Sequence, residues 1–391
     1  MTVHWILFGS TRTGSSRIHG HRIHEELTRQ GFDSRLLVAP PPDVQMYDLP
    51  WANPEPLTDS GVIAAGDTVI FETVRGERAR RLADHLLRQG VQVCFLECDL
   101  YPESKLADSA TIIVCTSRFL AEEMQRRHPQ AKIIPIPDPF EDHLHPEDLP
   151  LRVRQETTRL RLVWVGQGAH WETLAPLREI LQEFEFQDLQ LTTVSNHPAA
   201  DLMWSPATAN TLLRSSDLLV VPAAKTPQAQ SKSGNRVVQG MALGCAVLAG
   251  DLPAYREVIE SGINGFICST PEEWKSALRS LRDISLRRSI VYNAFQSVIE
   301  EYSLPRITSR YVEVLGLSPN EKRIHAPLPA GFQAEQSAEY ACWYLAQHRL
   351  SEGVRWMTAA CTQERSGTGC RVAWKVFSTR CRRKLRPLLP S

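Results

Sequence analysis

The chain has 391 residues, too long for one ordinary domain and sufficient for two. Lys plus Arg and Asp plus Glu both number 44, so the net charge is zero and no global field argues for a nucleic-acid partner. Apolar residues make up 42%, enough for packed cores, no apolar run reaches membrane-spanning length, and the 9 scattered cysteines, with no C-x-x-C pair, point to free thiols in a reducing, cytoplasmic setting rather than to disulfides or zinc.

The chain enters at once an apolar stretch, HWILFG, which reads as a strand ending at Gly9 with no basic leader before it. STRTGSS is a polar loop. Residues 17–30 place Ile18, Ile23 and Leu27 at helical spacing, Gly31 stops the helix, and Ser15 or Ser16 stands where it can cap it. SRLLVA is the next strand. The start is Rossmann-like, but it lacks G-x-G-x-x-G, which counts against an NAD-type oxidoreductase. Residues 40–66 are rich in Pro, Asp, Asn and Trp and without periodicity; they read as a long loop, a lid or a wall beside an acceptor. DTVIFET is a strand, residues 75–89 an arginine-rich helix, and VQVCFLECD a strand whose end carries Glu97 and Asp99. Carboxylates there project into the crevice where α/β sheets bind ligands; a loop hydrogen bond is the plainer role. ATIIVCTS is a further strand, Ser117 caps the helix FLAEEMQRRH, and AKIIPIPDPFED closes a first domain of residues 1–139.

Residues 140–159 are charged, proline-bearing and aperiodic, and read as an interdomain linker. Its His143 and His145 form an H-x-H pair, read as solvated and not as a metal site. RLRLVWVG restarts the alternation, followed by LQLTTVS, the helix TANTLLRSSD and the strand DLLVVP. Residues 231–266 read SKSGNRVVQGMALGCAVLAGDLPAYREVIESGINGF. A polar loop enters a short helix at residues 235–243, a buried strand follows, and a second helix opens near Pro253. Free N–H groups at a helix start favour negative charge. Gly234 lets the backbone come close to a ligand, and Lys232 and Arg236 flank the turn and can pair with phosphate oxygens. Ser231, Ser233 and Asn235 share this turn. The alternative is a generic loop–helix–strand unit with surface cations. Thr270, Pro271 and Glu273 make a capping box, and further helices end the second domain, residues 160–317.

GMALGCAVLAG, LPAYREVIESG and INGF stand in the order and near the spacing of the donor half of retaining GT-B glycosyltransferases of the group 1, or family 4, type, which this stretch resembles. RSSDLLVVP is similar to that family's corresponding strand, and the likeness covers roughly the first four fifths of the chain. The resemblance implies a GT-B fold, two Rossmann-like, doubly wound α/β domains facing a central cleft. It implies a nucleotide-sugar donor, no further cofactor and no metal. It places Gly9, Ser10 and Arg17 of the first loop, and Gly166 after the first strand of the second domain, near the donor. Asp99 faces the acceptor, and Glu257 contacts the ribose or faces the cleft. The chain also departs from the pattern. The two glutamates of the E-x7-E signature fall at Ser231 and Gln239, and Gln167 and Thr173 stand where the family carries cations, with only His170 near. Lys232 and Arg236 are left to take the charge of a leaving diphosphate, and Gln239 to contact ribose or sugar through an amide. The implied function is transfer of a sugar from a nucleotide-sugar to a polysaccharide or glycolipid acceptor with retention. The alternative is a GT-B-shaped binding or scaffold protein without turnover.

Residues 318–391 lie outside the likeness. AEYACWYLAQHRL reads as helical. Beyond Glu364 no acidic residue appears, while 7 basic residues accumulate between positions 371 and 386, and Trp374, Phe377, Cys381 and Leu385 form a helical stripe. Such a helix suits an anionic lipid surface, a peripheral place on the inner face of a membrane and a lipid-linked acceptor. A helix docked on the body with a disordered basic end is the other reading.

Overall fold

The computed structural model describes residues 1–101, 105–149, 159–319, 325–362, 371 and 375–376. Its first sheet has six strands: β1 (Val3–Leu7), β2 (Ser34–Val38), β3 (Thr68–Glu72), β4 (Gln92–Glu97), β5 (Ile112–Cys115) and β6 (Lys132–Pro135). All neighbours pair in parallel, in the order β2-β1-β3-β4-β5-β6. Strands with both faces covered need apolar residues at successive positions, and β1 and β3 are buried at every residue. Ile6, Phe71 and Phe95 turn to one face and pack on α2 (Glu77–Arg88). Trp5, Leu7 and Ile70 turn to the other, against Ile23 and Leu27 of α1 (Arg22–Arg29).

A turn of π-helix, Ser16–His21, leads into α1. Neither Ser15 nor Ser16 caps it. The Ser16 hydroxyl instead accepts from the Gly9 N–H (2.9 Å) and donates to the buried Glu72 carboxylate (2.7 Å), which fastens the first loop to the end of β3. The capping expected from the sequence is thus replaced by a tertiary bond.

After α3 (Arg118–Arg127) and β6 the chain passes to the second domain. Residues 140–149 are not a loose tether. Phe140 and Leu144 are buried in the second domain's core, and the Leu144 N–H donates to the Ala242 carbonyl (2.9 Å). The second sheet comprises β7 (Arg161–Val165), β8 (Gln190–Ser195), β9 (Leu202–Met203), β10 (Leu218–Val221), β11 (Ala246–Gly250) and β12 (Phe266–Cys268). It too is parallel, ordered β12-β11-β10-β7-β8-β9. Its helices are α4 (Ala175–Gln182), α5 (Pro206–Ser215), α6 (Pro227–Gln230), α7 (Asn235–Ala242), α8 (Pro253–Arg256), α9 (Pro271–Ser280), α10 (Ile284–Ile299) and α11 (Leu304–Leu315). The capping box at Thr270 and Glu273 forms as its sequence predicts.

α11 crosses back to the first domain. Its Ile307, Tyr311 and Leu315 pack with Trp5 and Leu7, and Gly316 ends it at φ 65°. Two more helices, α12 (Ala330–Ala346) and α13 (Leu350–Thr362), pair with each other and dock on the first domain. Tyr344 donates to the Pro42 carbonyl (2.6 Å), and Trp51 donates to that of Phe332 (3.0 Å). Leu49, Trp51 and Leu57 of the long loop are wholly buried beside α2, so this segment is a packed wall of the first domain. No helix among the described residues is long and apolar enough to cross a membrane. The aromatic stripe and most of the basic tail fall outside the described residues.

Candidate functional site: the interdomain cleft

Strand order reverses beside β1 in one sheet and beside β7 in the other, which leaves a crevice at the C-terminal ends of the central strands. A cleft of about 260 Å³ lies there, lined from the first domain by Gly14 and Arg17, from the linker by Glu141, and from the second domain by the loop after β7, α5 and the start of α7. Gly166 and Gln167 supply the loop after β7. A Cβ on Gly166 would meet the Trp164 ring at 2.5 Å, so glycine is demanded here by the core under the site. Gly9 and Ser10 are not among the lining residues. Ser10 is buried and its hydroxyl accepts from the Arg12 N–H (3.1 Å), holding the shape of the loop.

α7 presents its N-terminus to the cleft. Gly234 is its N-cap and makes no side-chain cap bond, while the Ser233 hydroxyl accepts from the Asn235 N–H (3.4 Å). The site is tight: an added Cβ would lie 3.1 Å from Val258 Cγ2 and 3.2 Å from the Ala254 carbonyl. Arg236 donates from Nη2 to the hydroxyl of the wholly buried Tyr255 (3.0 Å), while its Nη1 and Asn235 Nδ2 are buried with no hydrogen-bond partner. Burial pushes the His170 pKa down, and the nearby Arg236 and Lys232 push it further. Ser233 donates to Asp138 (2.6 Å), whose carboxyl is pushed up by burial and faces His19 at 3.3 Å.

The remaining partners come from the opposite domain. Lys232 Nζ donates to Asp99 Oδ1 at 2.5 Å. Ser231, buried one residue earlier, accepts from the Leu100 N–H (3.1 Å). Glu257 lies outside the main cleft. Its carboxylate accepts from the Arg118 N–H (3.2 Å) at the start of α3, and burial raises its pKa. Gln239 lines the cleft, but its amide is engaged: Oε1 accepts from the Glu141 N–H (2.7 Å) and Nε2 donates to the Asp142 carbonyl (2.9 Å). Arg17 grips the Glu141 carboxylate with two bonds of 2.7 and 2.8 Å, its guanidinium 5.6 Å from the Trp204 ring. Glu97 does not reach the cleft; it forms a buried two-bond pair with Arg75. The sequence reading singled out neither Glu141 nor Trp204. Glu141 lies in an aperiodic charged segment, where no local pattern separates a site residue from a solvated one.

Together these elements form a helix start with cations, a carboxylate one helical turn further on, and an apolar recess of Val165, Leu213 and Leu219. Residues 147–283 match the family model described as glycosyl transferases group 1. The fold is GT-B, the architecture of several solved glycosyltransferases. Anabaena HepE, solved in complex with UDP, superposes with a TM-score of 0.58 at 13% identity, over 81% of this chain and 100% of that one. The catalytic domain of starch synthase IV from Arabidopsis thaliana, bound to ADP and acarbose, also gives 0.58, at 12% identity over 81% and 98%. The pneumococcal O-GlcNAc transferase GtfA, in complex with UDP and GlcNAc, gives 0.52 at 14% identity; 67% of this chain is covered, and it spans only 59% of that longer chain. Among curated proteins no sequence match is found.

Proposed function

We propose that the protein is a glycosyltransferase that moves a sugar from a nucleotide-sugar to a saccharide or lipid-linked acceptor, with retention and without a metal ion. The observation that carries this is the pair of buried, unpartnered donors at the start of α7, Arg236 Nη1 and Asn235 Nδ2, on the wall of a GT-B cleft. A buried donor without an acceptor costs about 1–3 kcal/mol, and anionic oxygens in the cleft would satisfy both. Arg236, Lys232, Ser233 and the start of α7 hold the diphosphate and stabilise it as it leaves. The loop from Gly9 through Ser10 to Arg17 and the turn at Gly166 shape the donor side. Gln239 holds Glu141 on the cleft wall, Ser231 holds Leu100 of the opposite domain, and Glu257 joins only after releasing Arg118. Asp99, holding Lys232 from the first domain, is the carboxylate nearest an acceptor. The leaving phosphate takes the acceptor proton, and domain closure excludes water. The solved GT-B neighbours crystallised with UDP or ADP support this reading of the cleft. A cytoplasmic place, with membrane-surface contact through the basic tail, accompanies it.

A second reading, a GT-B scaffold without turnover, is favoured by one observation: Ser231 and Gln239, at the family's two glutamate positions, are both occupied by protein–protein bonds. A thermal-shift panel of UDP, ADP, GDP, CMP and their sugar conjugates on the wild type and Lys232→Ala separates the two. One nucleotide raising the wild-type midpoint, with a smaller shift in the variant, is expected for the transferase. No shift with any of them sinks it.

A further inference from the structure

The lining of the cleft carries one carboxylate among the described residues, Glu141, and nothing in the sequence pattern assigns it a role. Its setting is built. Gln239 fixes its backbone through the bond to the Glu141 N–H, and Arg17 fixes its side chain through two charge-assisted bonds. Arg17 and Glu141 side chains are only 14% and 18% exposed, so the pair is not a surface ion pair free to reorient. A carboxylate offers about four lone-pair positions, and Arg17 takes two. The two remaining belong to a group that faces a cavity already rich in donors.

α7 orders the cleft. Asn235 and Arg236, with their unpartnered donors, stand in its first turn. Gln239, and with it Glu141, lies about 6 Å further along the axis at the rise of an α-helix. Gly240 comes next, against Leu219 of the apolar recess, where an added Cβ would meet Leu219 Cδ2 at 2.3 Å. The sequence along the wall is therefore anion donors, carboxylate, apolar recess. A nucleoside diphosphate has the same order: phosphates, a ribose with two adjacent hydroxyls, a base.

We propose that Glu141 is the residue that recognises the ribose of the donor nucleotide, accepting hydrogen bonds from its 2′- and 3′-hydroxyls, with Arg17 as the positioning residue that holds the carboxylate in place. This rests on the reading of the cleft as a nucleotide-sugar site. The linker thereby contributes a specificity-determining side chain, so an element that joins the domains also reads the ligand.

The test compares uridine, adenosine and guanosine 5′-diphosphates with their 2′,3′-dideoxy counterparts by calorimetric titration of the full chain, wild type and Glu141→Gln. The wild type should prefer the ribonucleotide over its dideoxy form by about tenfold or more, the value of hydrogen bonds to a charged acceptor. Glu141→Gln should lose most of that preference. Inorganic diphosphate, which has no ribose, should bind the variant at least as well, because Arg17 is released. Equal binding of the ribo and dideoxy forms by the wild type overturns the assignment without recourse to any variant. An undiminished preference in a folded Glu141→Gln overturns it as well. If the wild type binds none of the three ribonucleotides, the nucleotide-sugar reading fails first and this one with it.

Discussion

Arg17, Lys232 and Arg236 reach the cleft with different partners. Glu141 holds the first, Asp99 the second, and the third keeps one buried nitrogen unpaired. His170 stands among them as a neutral imidazole at neutral pH, since burial and then Arg236 and Lys232 lower its pKa below the ordinary 6.5. A group so depressed costs stability as pH falls through 6.5, where the unfolded chain takes up a proton that the folded one refuses. A bound diphosphate offsets the two cations and raises the His170 pKa toward that value. The complex then binds more protons than the free protein, so affinity for a sugar nucleotide, whose phosphodiesters do not titrate here, should rise as pH is lowered from 7.5 to 6. His170→Gln should flatten that profile. An identical pH slope in both proteins would remove His170 from the anion site. Lys232 and Arg236 stood out in the sequence because they flank one turn. Glu141 did not, because its partners Arg17 and Gln239 lie 124 and 98 positions away.

The elements were legible where burial repeats along the chain. Apolar runs such as HWILF and AVLAG become β1 and β11, buried on both faces, because parallel strands between helix layers admit little else. Glycines were legible as breaks but not by their reasons. Gly234 reads as room for a ligand, and the structure adds a second reason, the closeness of Ala254 and Val258 to an added Cβ. Gly166 makes the point testable. A methyl there would press on the Trp164 ring, part of the core under β7, so Gly166→Ala should destabilise the second domain by about 1–3 kcal/mol. Denaturant melts followed by tryptophan fluorescence would show it; an unchanged midpoint would mean that the loop after β7 yields without disturbing the core. For the long loop of residues 40–66 the sequence left lid and wall both open, since Trp51 is buried only by joining α2 and by its bond to Phe332, 281 positions away.

At the scale of the molecule, the two domains are tied across the cleft by polar bonds centred on residues 231–257. Lys232 meets Asp99, Ser231 meets Leu100, Ser233 meets Asp138, and Glu257 completes the start of α3. Asp99→Asn separates binding from turnover. Without its carboxylate Lys232 is free for an anion, so inorganic diphosphate should bind several-fold more tightly, while transfer to an acceptor should fall. Weaker diphosphate binding by the variant would show that Asp99 presents Lys232 to the ligand instead of competing for it. By itself the sequence determined the alternation of strand and helix, the two cores and the likeness to GT-B transferases. These follow from local spacing, because burial periodicity and helix-start chemistry involve near neighbours. The tertiary structure alone decided that Glu257 serves α3, that Gln239 serves the linker, and that Glu141 faces the cleft. A side chain's role depends on which distant donor it meets, and long-range pairing leaves no period in the chain.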